Sequence, residues 1–261
     1  MAFQMAYHTD IGIKKKSNQD GLLMKTARTP EGEVGLFAIC DGMGGLSHGE
    51  LASATVIRGL SDWFDQELPT LLRQKQERSI ISGLQTCITA LNDKIFSYGK
   101  VRNIQLGTTL SALLVLYSRS YIIHVGDSRI YSISSGVTQL TKDQSLVARE
   151  VERGNLTAEQ ARRDPRRNIL LQCIGATENL DITITEGLVE HKACYLLCTD
   201  GFYHEVLNSE LAESLQPGQF NKESQLKVKL VELVELVKSR QETDNISVIA
   251  VSSSQKRGET A

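Results

Sequence analysis

The chain has 261 residues, 41% of them hydrophobic and 23% charged, with a formal net charge of −2 at pH 7. That is enough apolar material for a sizeable core in one domain, the interspersed charge leaves no footprint for nucleic acid, and no apolar stretch approaches the ~18 residues of a membrane span. The opening segment Met1-Ala2-Phe3-Gln4-Met5-Ala6 lacks the long apolar run of a secretory signal, so a cytoplasmic protein without membrane partners is expected.

The first strong signal along the chain is Leu36-Phe37-Ala38-Ile39-Cys40, a short run that reads as a strand and stops at Asp41. Gly42-Met43-Gly44-Gly45 follows, and its glycines let a backbone turn sharply and approach ions or phosphate closely. Over 51–64, Ala52, Val56, Leu60 and Phe64 recur at helical spacing; Ile80, Leu84, Ile88, Leu91 and Ile95 repeat the pattern, predicting two amphipathic helices. Strand signals return at 108–117, 121–125, 129–133, 181–186 and 193–198. A helix carrying Leu226, Leu230, Leu233, Val234 and Val237 on one side then precedes Asp244 and the run 246–251. Helices come in pairs rather than alternating with strands, which argues for antiparallel sheets with helices packed outside.

Residues 143–172 stand apart. Six arginines fall between Arg149 and Arg167, Thr157-Ala158-Glu159-Gln160 forms a capping box that opens a short helix, and Asp164-Pro165 closes it. Composition favours a solvated helical insertion there over a lid or docking flap. The polar end from Ser252 reads as a frayed tail.

Asp41, Asp127 and Asp200 follow the C-terminal ends of apolar runs, and Asp244 comes before the N-terminal end of another. Antiparallel neighbours bring all four to one edge. Carboxylates gathered there repel one another and carry a large desolvation cost unless cations bind between them, and oxygen-only ligands point to magnesium or manganese rather than zinc. Turn formation by Asp-Gly at strand ends explains any one of them but not the set; for Asp10 the two readings balance.

Cys40, Cys87, Cys173, Cys194 and Cys198 read as buried, reduced thiols. Cys194 and Cys198 lie ~13 Å apart on a strand, too far to share an ion. None of the five has the arginine six positions on that a cysteine-based phosphate loop needs. The histidines are scattered; His124 and His191 read as structural, and His48, just past the glycine loop, is the candidate proton donor.

Thr9-Asp10-x-Gly12, Asn18-Gln19-Asp20, Asp41-Gly42-Met43-Gly44-Gly45, Gly107-Thr108-Thr109-Leu110, Val125-Gly126-Asp127-Ser128-Arg129, Thr199-Asp200-Gly201 and Asp244-Asn245-Ile246-Ser247 occur in that order. Together they closely resemble the metal-dependent serine/threonine protein phosphatases of the protein phosphatase 2C type, in their compact bacterial form, from about Ala6 to Val251. The resemblance implies an α+β fold, a four-layer α-β-β-α sandwich with two central antiparallel sheets. It implies one catalytic domain over 1–252 with a flap subdomain at 143–172, and a tail at 253–261. A dinuclear magnesium or manganese centre is implied at one edge between the sheets. Residue by residue, Asp41 matches the bridging carboxylate and the Gly42 carbonyl a direct ligand. Asp200 and Asp244 match further ligands of the first metal, and Asp20 a residue acting on the second largely through water. Asp127 with Asp200 matches a third, weaker site. Asp41, Asp200 and Asp244 are thereby the catalytic carboxylates.

Three departures accompany the match. Lys15 stands where many relatives place a phosphate-holding arginine, keeping the charge without the bidentate fork. Gln19 replaces a common glutamate, and Met43 stands where animal relatives carry a histidine. The implied activity is hydrolysis of phosphoserine and phosphothreonine by a metal-activated water with no covalent phosphoenzyme, by a monomer that opposes a serine/threonine kinase and acts on its phosphoprotein substrates. Lys15 and Gln19 motivate a second reading, a phosphoprotein-binding module; a small-molecule phosphomonoesterase is a third.

Overall fold

The computed structural model describes residues 2–43, 48–74, 76–190, 192–220 and 222–254, so Gly44, Gly45, His191 and most of the expected tail lie outside the described residues. Two antiparallel sheets of five strands form the centre. In the first, β1 (Ala2–Asp10), β10 (Ile246–Ser254), β9 (Cys194–Cys198), β6 (Arg129–Ile133) and β7 (Val137–Gln139) lie in that order. The second runs β2 (Gly21–Thr29), β3 (Gly32–Cys40), β4 (Leu110–Leu116), β5 (Arg119–Val125) and β8 (Thr183–Leu188).

Side-chain alternation along the strands explains the layering. Phe37 and Ile39 of β3 join Leu113, Val115 and Ile122, and meet Ile130, Tyr195, Leu197, Ile249 and Val251 of the other sheet in a buried inner layer. Their neighbours Leu36, Ala38 and Cys40 point the other way, onto Val56 and Leu60 of α1 (Gly49–Gln66) and Leu84 and Ile88 of α3 (Glu77–Arg102). On the far side, Leu196, Cys198, Val248 and Ala250 pack against Leu226, Leu230, Leu233 and Val237 of α8 (Glu223–Ser239). The inner strands are therefore buried on both faces and read as continuous apolar runs rather than alternating ones. Both faces of the sandwich are covered by helices, as expected for the four-layer arrangement.

Short helices complete the chain: α2 (Leu68–Arg73), α4 (Leu146–Glu152), α5 (Ala158–Arg163), α6 (Asp200–Tyr203) and α7 (Asn208–Ser214). Helix α3 ends at Asn103, whose φ of 53° is left-handed and stops propagation. In the 143–172 excursion the Thr157 hydroxyl accepts the Gln160 N–H at 3.2 Å and Gln160 Oε1 accepts the Thr157 N–H at 2.8 Å, the reciprocal cap the sequence predicts for α5.

Strand β10 runs further than the composition of its end suggests, because Ser253 and Ser254 pair with Phe3 and Ala2 of β1. Among the described residues no helix is long and apolar enough to cross a membrane.

Candidate metal centre

Topology delivers the aspartates to one edge. Strands β3 and β5 flank β4 and each is antiparallel to it, so their C-terminal ends emerge side by side with Asp41 and Asp127. In the facing sheet β9 and β10 are antiparallel, which sets Asp200 at the end of one beside Asp244 at the start of the other. Asp20 comes immediately before β2, whose first residue Gly21 pairs with Cys40.

The cluster is electrostatically costly. Burial, then Asp20, Asp200, Asp127 and Asp244 in turn, hold the Asp41 carboxyl well above the usual range. Asp127 is raised likewise by burial and by Asp200 and Asp143, against the relief of Arg129. Burial and Asp244 raise Asp200, although its carboxyl is within hydrogen-bond reach of that of Asp41 and of the Gly201 N–H. Asp20 is pushed up to about 7, by burial first and then by Asp200 and Asp244, despite the Ser247 and Thr199 hydroxyls; Thr199 Oγ1 donates to its Oδ2 at 3.1 Å. Asp127 and Asp200 are buried outright, whereas Asp20, Asp41 and Asp244 keep an edge toward the mouth of the cleft.

Two oxygens carry the test of whether a cation fits. Asp20 Oδ1 and Asp200 Oδ1 are buried with no hydrogen-bond partner. Orphaned carboxylate oxygens on both sheets, among carboxyls raised by mutual repulsion, match a hard divalent cation and an oxygen donor set. Among the described residues no three acidic, histidine or cysteine side chains close on one point. Backbone carbonyls and water would therefore complete each shell, as magnesium-type sites ordinarily allow. Among the described residues no donor meets the Gly42 carbonyl.

The backbone beneath the cluster is fixed by the other motifs. The Asp41 carbonyl accepts from the Thr109 N–H and the Thr108 hydroxyl, both at 2.9 Å, and the Asp41 N–H donates to Thr109 Oγ1 at 2.9 Å. Gly42 N–H donates to the Gln19 carbonyl at 3.2 Å, tying the loop before Asp20 to the loop after Asp41. A Cβ at Gly42 would sit 2.5 Å from the carbonyl oxygens of both Gln19 and Gly49, so a side chain there would force the two loops apart.

Asn245 is the clamp that sequence reasoning did not single out. Its Nδ2 donates to the carbonyls of Ile11 and Ser17, at 2.9 and 3.0 Å, and its Oδ1 accepts the Gln19 N–H at 3.0 Å. The residue beside Asp244 thus shapes the loop that carries Lys15 and Asp20. The available sequence signal was its place beside Asp244 in the motif Asp244-Asn245-Ile246-Ser247; its burial and its three bonds belong to the fold.

Lys15 itself is at the cluster, with Nζ 2.5 Å from Asp244 Oδ1, and Asp41 and Asp200 also raise its pKa, against the lowering by burial. Asp10 is not with the others: its Oδ1 accepts the Gly12 N–H at 2.8 Å and its Oδ2 meets Lys238 at 3.0 Å, the turn reading. His48 is left-handed (φ 63°) ahead of α1, its exposed imidazole 4.0 Å from Glu50. His124 is buried between Ser111 Oγ at 2.9 Å and the Lys142 carbonyl at 3.1 Å, a structural placement. The five thiols are free, and burial pushes each of them upward.

The excursion after β7 is joined to this edge. Arg129 meets Asp143 through Nε–Oδ1 at 3.0 Å and Nη2–Oδ2 at 2.7 Å, donates to the Tyr131 hydroxyl at 3.0 Å, and lies 3.6 Å over the Tyr203 ring. Between this network and helices α4 and α5 is a cavity of about 640 Å³ that reaches Asp127.

Comparison with known proteins points the same way. A family model described as protein phosphatase 2C matches residues 13–236. The serine/threonine protein phosphatase PstP of Mycobacterium tuberculosis is 28% identical over 250 residues, covering 95% of this chain, which spans only 45% of that relative's length. The serine/threonine phosphatase stp of Listeria innocua is 31% identical over 215 residues, covering 80% of this chain and 82% of the relative. Among solved structures, a bacterial serine phosphatase superposes with a TM-score of 0.86 at 25% identity, over 98% of this chain and 100% of the other. The PstP catalytic domain in complex with two manganese ions superposes with a TM-score of 0.78 at 27% identity, over 96% and 97%. With a family model spanning most of its length, the chain belongs to the protein phosphatase 2C family.

Proposed function

We propose that this chain is a metal-dependent protein phosphatase that hydrolyses phosphoserine and phosphothreonine. The observation that carries the reading is the pair of buried, unpartnered carboxylate oxygens, Asp20 Oδ1 and Asp200 Oδ1, contributed from opposite sheets to one cleft. Asp41 would bridge two manganese or magnesium ions, with the Gly42 carbonyl, Asp200 and Asp244 completing the protein ligands and Asp20 acting through water. Asp127, beside Asp200, would hold a third and weaker ion. Bound there, the ions supply Lewis acidity, activating water and offsetting charge on phosphoryl oxygens.

The chain's own contribution is placement. Thr108 and Thr109 hold the Asp41 backbone at both its N–H and its carbonyl, Asn245 fixes the loop bearing Lys15, and Lys15 presents a cation at the mouth for the substrate phosphate. Lysine supplies a point charge where a guanidinium would supply a fork, so orientation of the phosphate rests more on the metal side.

We infer a catalytic unit over 1–252 with the 143–172 excursion as its flap and a short polar tail, acting as a cytoplasmic monomer opposite a serine/threonine kinase. The test is a panel of phosphothreonine and phosphoserine peptides against phosphorylated metabolites, each with manganese. Higher kcat/KM on the peptides supports the reading; selective turnover of a metabolite would make the chain a small-molecule phosphomonoesterase, and binding of phosphopeptide without turnover would make it a binding module.

A further inference from the structure

Five of the six flap arginines divide by their partners, and the sixth, Arg149, is not in the lining of the cavity. Arg153 pairs with Glu150 at 3.5 Å, Arg163 with Glu159 at 2.8 Å and Arg166 with Asp164 at 2.8 Å. Arg162 and Arg167 are different: both line the cavity beneath the flap, and among the described residues neither meets a carboxylate. Their groups are held by carbonyls instead, Arg162 Nη2 donating to the His204 oxygen at 2.5 Å and Arg167 Nη1 to the Arg162 oxygen at 3.2 Å. The other two cations of the cavity are neutralised, Arg129 by Asp143 at 2.7 Å and Lys142 by Glu152 at 2.9 Å. Two uncompensated guanidiniums are thus fixed on one lining, and carbonyl contacts leave their charge open to an anion.

The cavity reaches the aspartate cluster: Asp127 is among its lining residues, together with the apolar Val147, Val151, Ala161 and Leu207. A chain that presents a phosphorylated residue to the aspartates can pass its neighbouring residues through this space, with an apolar wall for the stem of a side chain and cations for its end. We propose that the cavity beneath the flap is a substrate subsite for an anionic side chain near, but distinct from, the phosphoresidue being hydrolysed, with Arg162 and Arg167 as its specificity-determining residues. The occupant is the substrate protein itself; its anion is a glutamate or aspartate carboxylate, or a second phosphate. This rests on the phosphoprotein reading above and narrows its substrate class to acidic or multiply phosphorylated segments.

The test uses the full chain with manganese and a set of phosphothreonine peptides. Each carries, at successive positions on either side of the phosphoresidue, one glutamate, one phosphonate mimic of phosphoserine, one lysine or only alanine. Wild type should favour the anionic peptides over the alanine one by about tenfold in kcat/KM at the best position, chiefly through KM, and disfavour lysine. The carboxylate and phosphonate arms tell which anion the site prefers. R162Q with R167Q should abolish the preference, while hydrolysis of a small aryl phosphate, which cannot reach the rim, changes far less. R162E with R167E should turn the preference toward the lysine peptide. These are ratios within one protein and do not depend on its folded fraction.

Equal kcat/KM on all the peptides in wild type would overturn the subsite while leaving phosphatase function standing. A preference that survives both double variants would overturn it too. Hydrolysis of no phosphopeptide, with aryl phosphate still cleaved, would remove the underlying reading and the subsite together.

Discussion

The ammonium of Lys15 lies 2.5 Å from Oδ1 of Asp244, so the candidate phosphate-holding cation and a candidate metal-binding carboxylate share one contact. Both side chains are about a third exposed, at 32% and 29%, which places the pair at the mouth of the cleft rather than inside the fold. An ion pair in that setting is worth little to stability, ~0–1 kcal/mol, so its role is local. Lys15→Ala should raise KM for phosphopeptide several-fold with a smaller effect on kcat, and Lys15→Arg should restore or lower KM. An alanine variant with wild-type KM would remove Lys15 from phosphate capture.

Divalent cations should stabilise the fold, because they relieve repulsion among carboxylates that the fold itself holds together. At about a hundredfold excess over its dissociation constant, one ion contributes ~2.7 kcal/mol. The pH dependence follows from the raised carboxyls. Asp20, at about 7 in the fold against about 4 unfolded, takes up its proton first in the folded state, so stripped protein gains stability as pH falls through that window. Protons also compete with the ion for the same oxygens. The manganese-induced rise in melting temperature should therefore be large at pH 7.5 (about the neutral range) and shrink steadily toward about 5. A pH-independent manganese shift would place the ions elsewhere.

Gly42→Ala tests the approach of two loops rather than a charge. The added Cβ would lie 2.5 Å from two carbonyl oxygens, of Gln19 and Gly49, both backbone and unable to swing away. Turnover should fall at least ~100-fold, with ~1–3 kcal/mol lost from the denaturant midpoint analysis. A variant that unfolds and turns over like wild type would show that the loops are not in contact during catalysis.

His204 should make the protein acid-sensitive. It ends α6 with its ring 4.8 Å from that of Tyr203, and burial first, then Arg167, lower it to about 4. The unfolded chain protonates near 6.5 while the fold refuses the proton until about 4. Its contribution is therefore complete above 6.5 and lost as pH falls through that interval, on the order of 3 kcal/mol. In urea titrations, His204→Gln should lose less stability than wild type between those limits; parallel pH curves would show that the imidazole is solvated.

What the sequence disclosed depended on how a residue is buried. Asp41, Asp127, Asp200 and Asp244 stood out because they adjoin strands sandwiched between layers, where most side chains are apolar on both faces and a carboxylate marks the edge. Asp20 precedes β2, an edge strand whose residues are mostly half-exposed, and only the family resemblance identified it. Strand β1 gave no run for the same reason, and its pairing with Ser253 and Ser254 is a long-range fact that the composition of either end does not contain. Within the flap, pairing of Arg163 with Glu159 was readable from the i,i+4 spacing. That Arg162 instead turns to the His204 carbonyl, and Arg167 to the carbonyl of Arg162, required the flap to meet the end of α6. Asn245 carries no charge and no periodicity; its three bonds to the loop at 11–19 appear only once the ends of the chain have met in the first sheet.

The central claim is that Asp41 organises a metal-dependent hydrolytic centre, and phosphate release from a phosphothreonine peptide tests it most directly, measured during manganese titration of metal-stripped wild type and Asp41→Asn. The account predicts no turnover without added ion, a saturable rise in wild type, complete loss on chelation, and at least ~1000-fold less activity in the Asp41 variant. Full turnover in stripped buffer, or wild-type turnover by Asp41→Asn at saturating manganese, would contradict it.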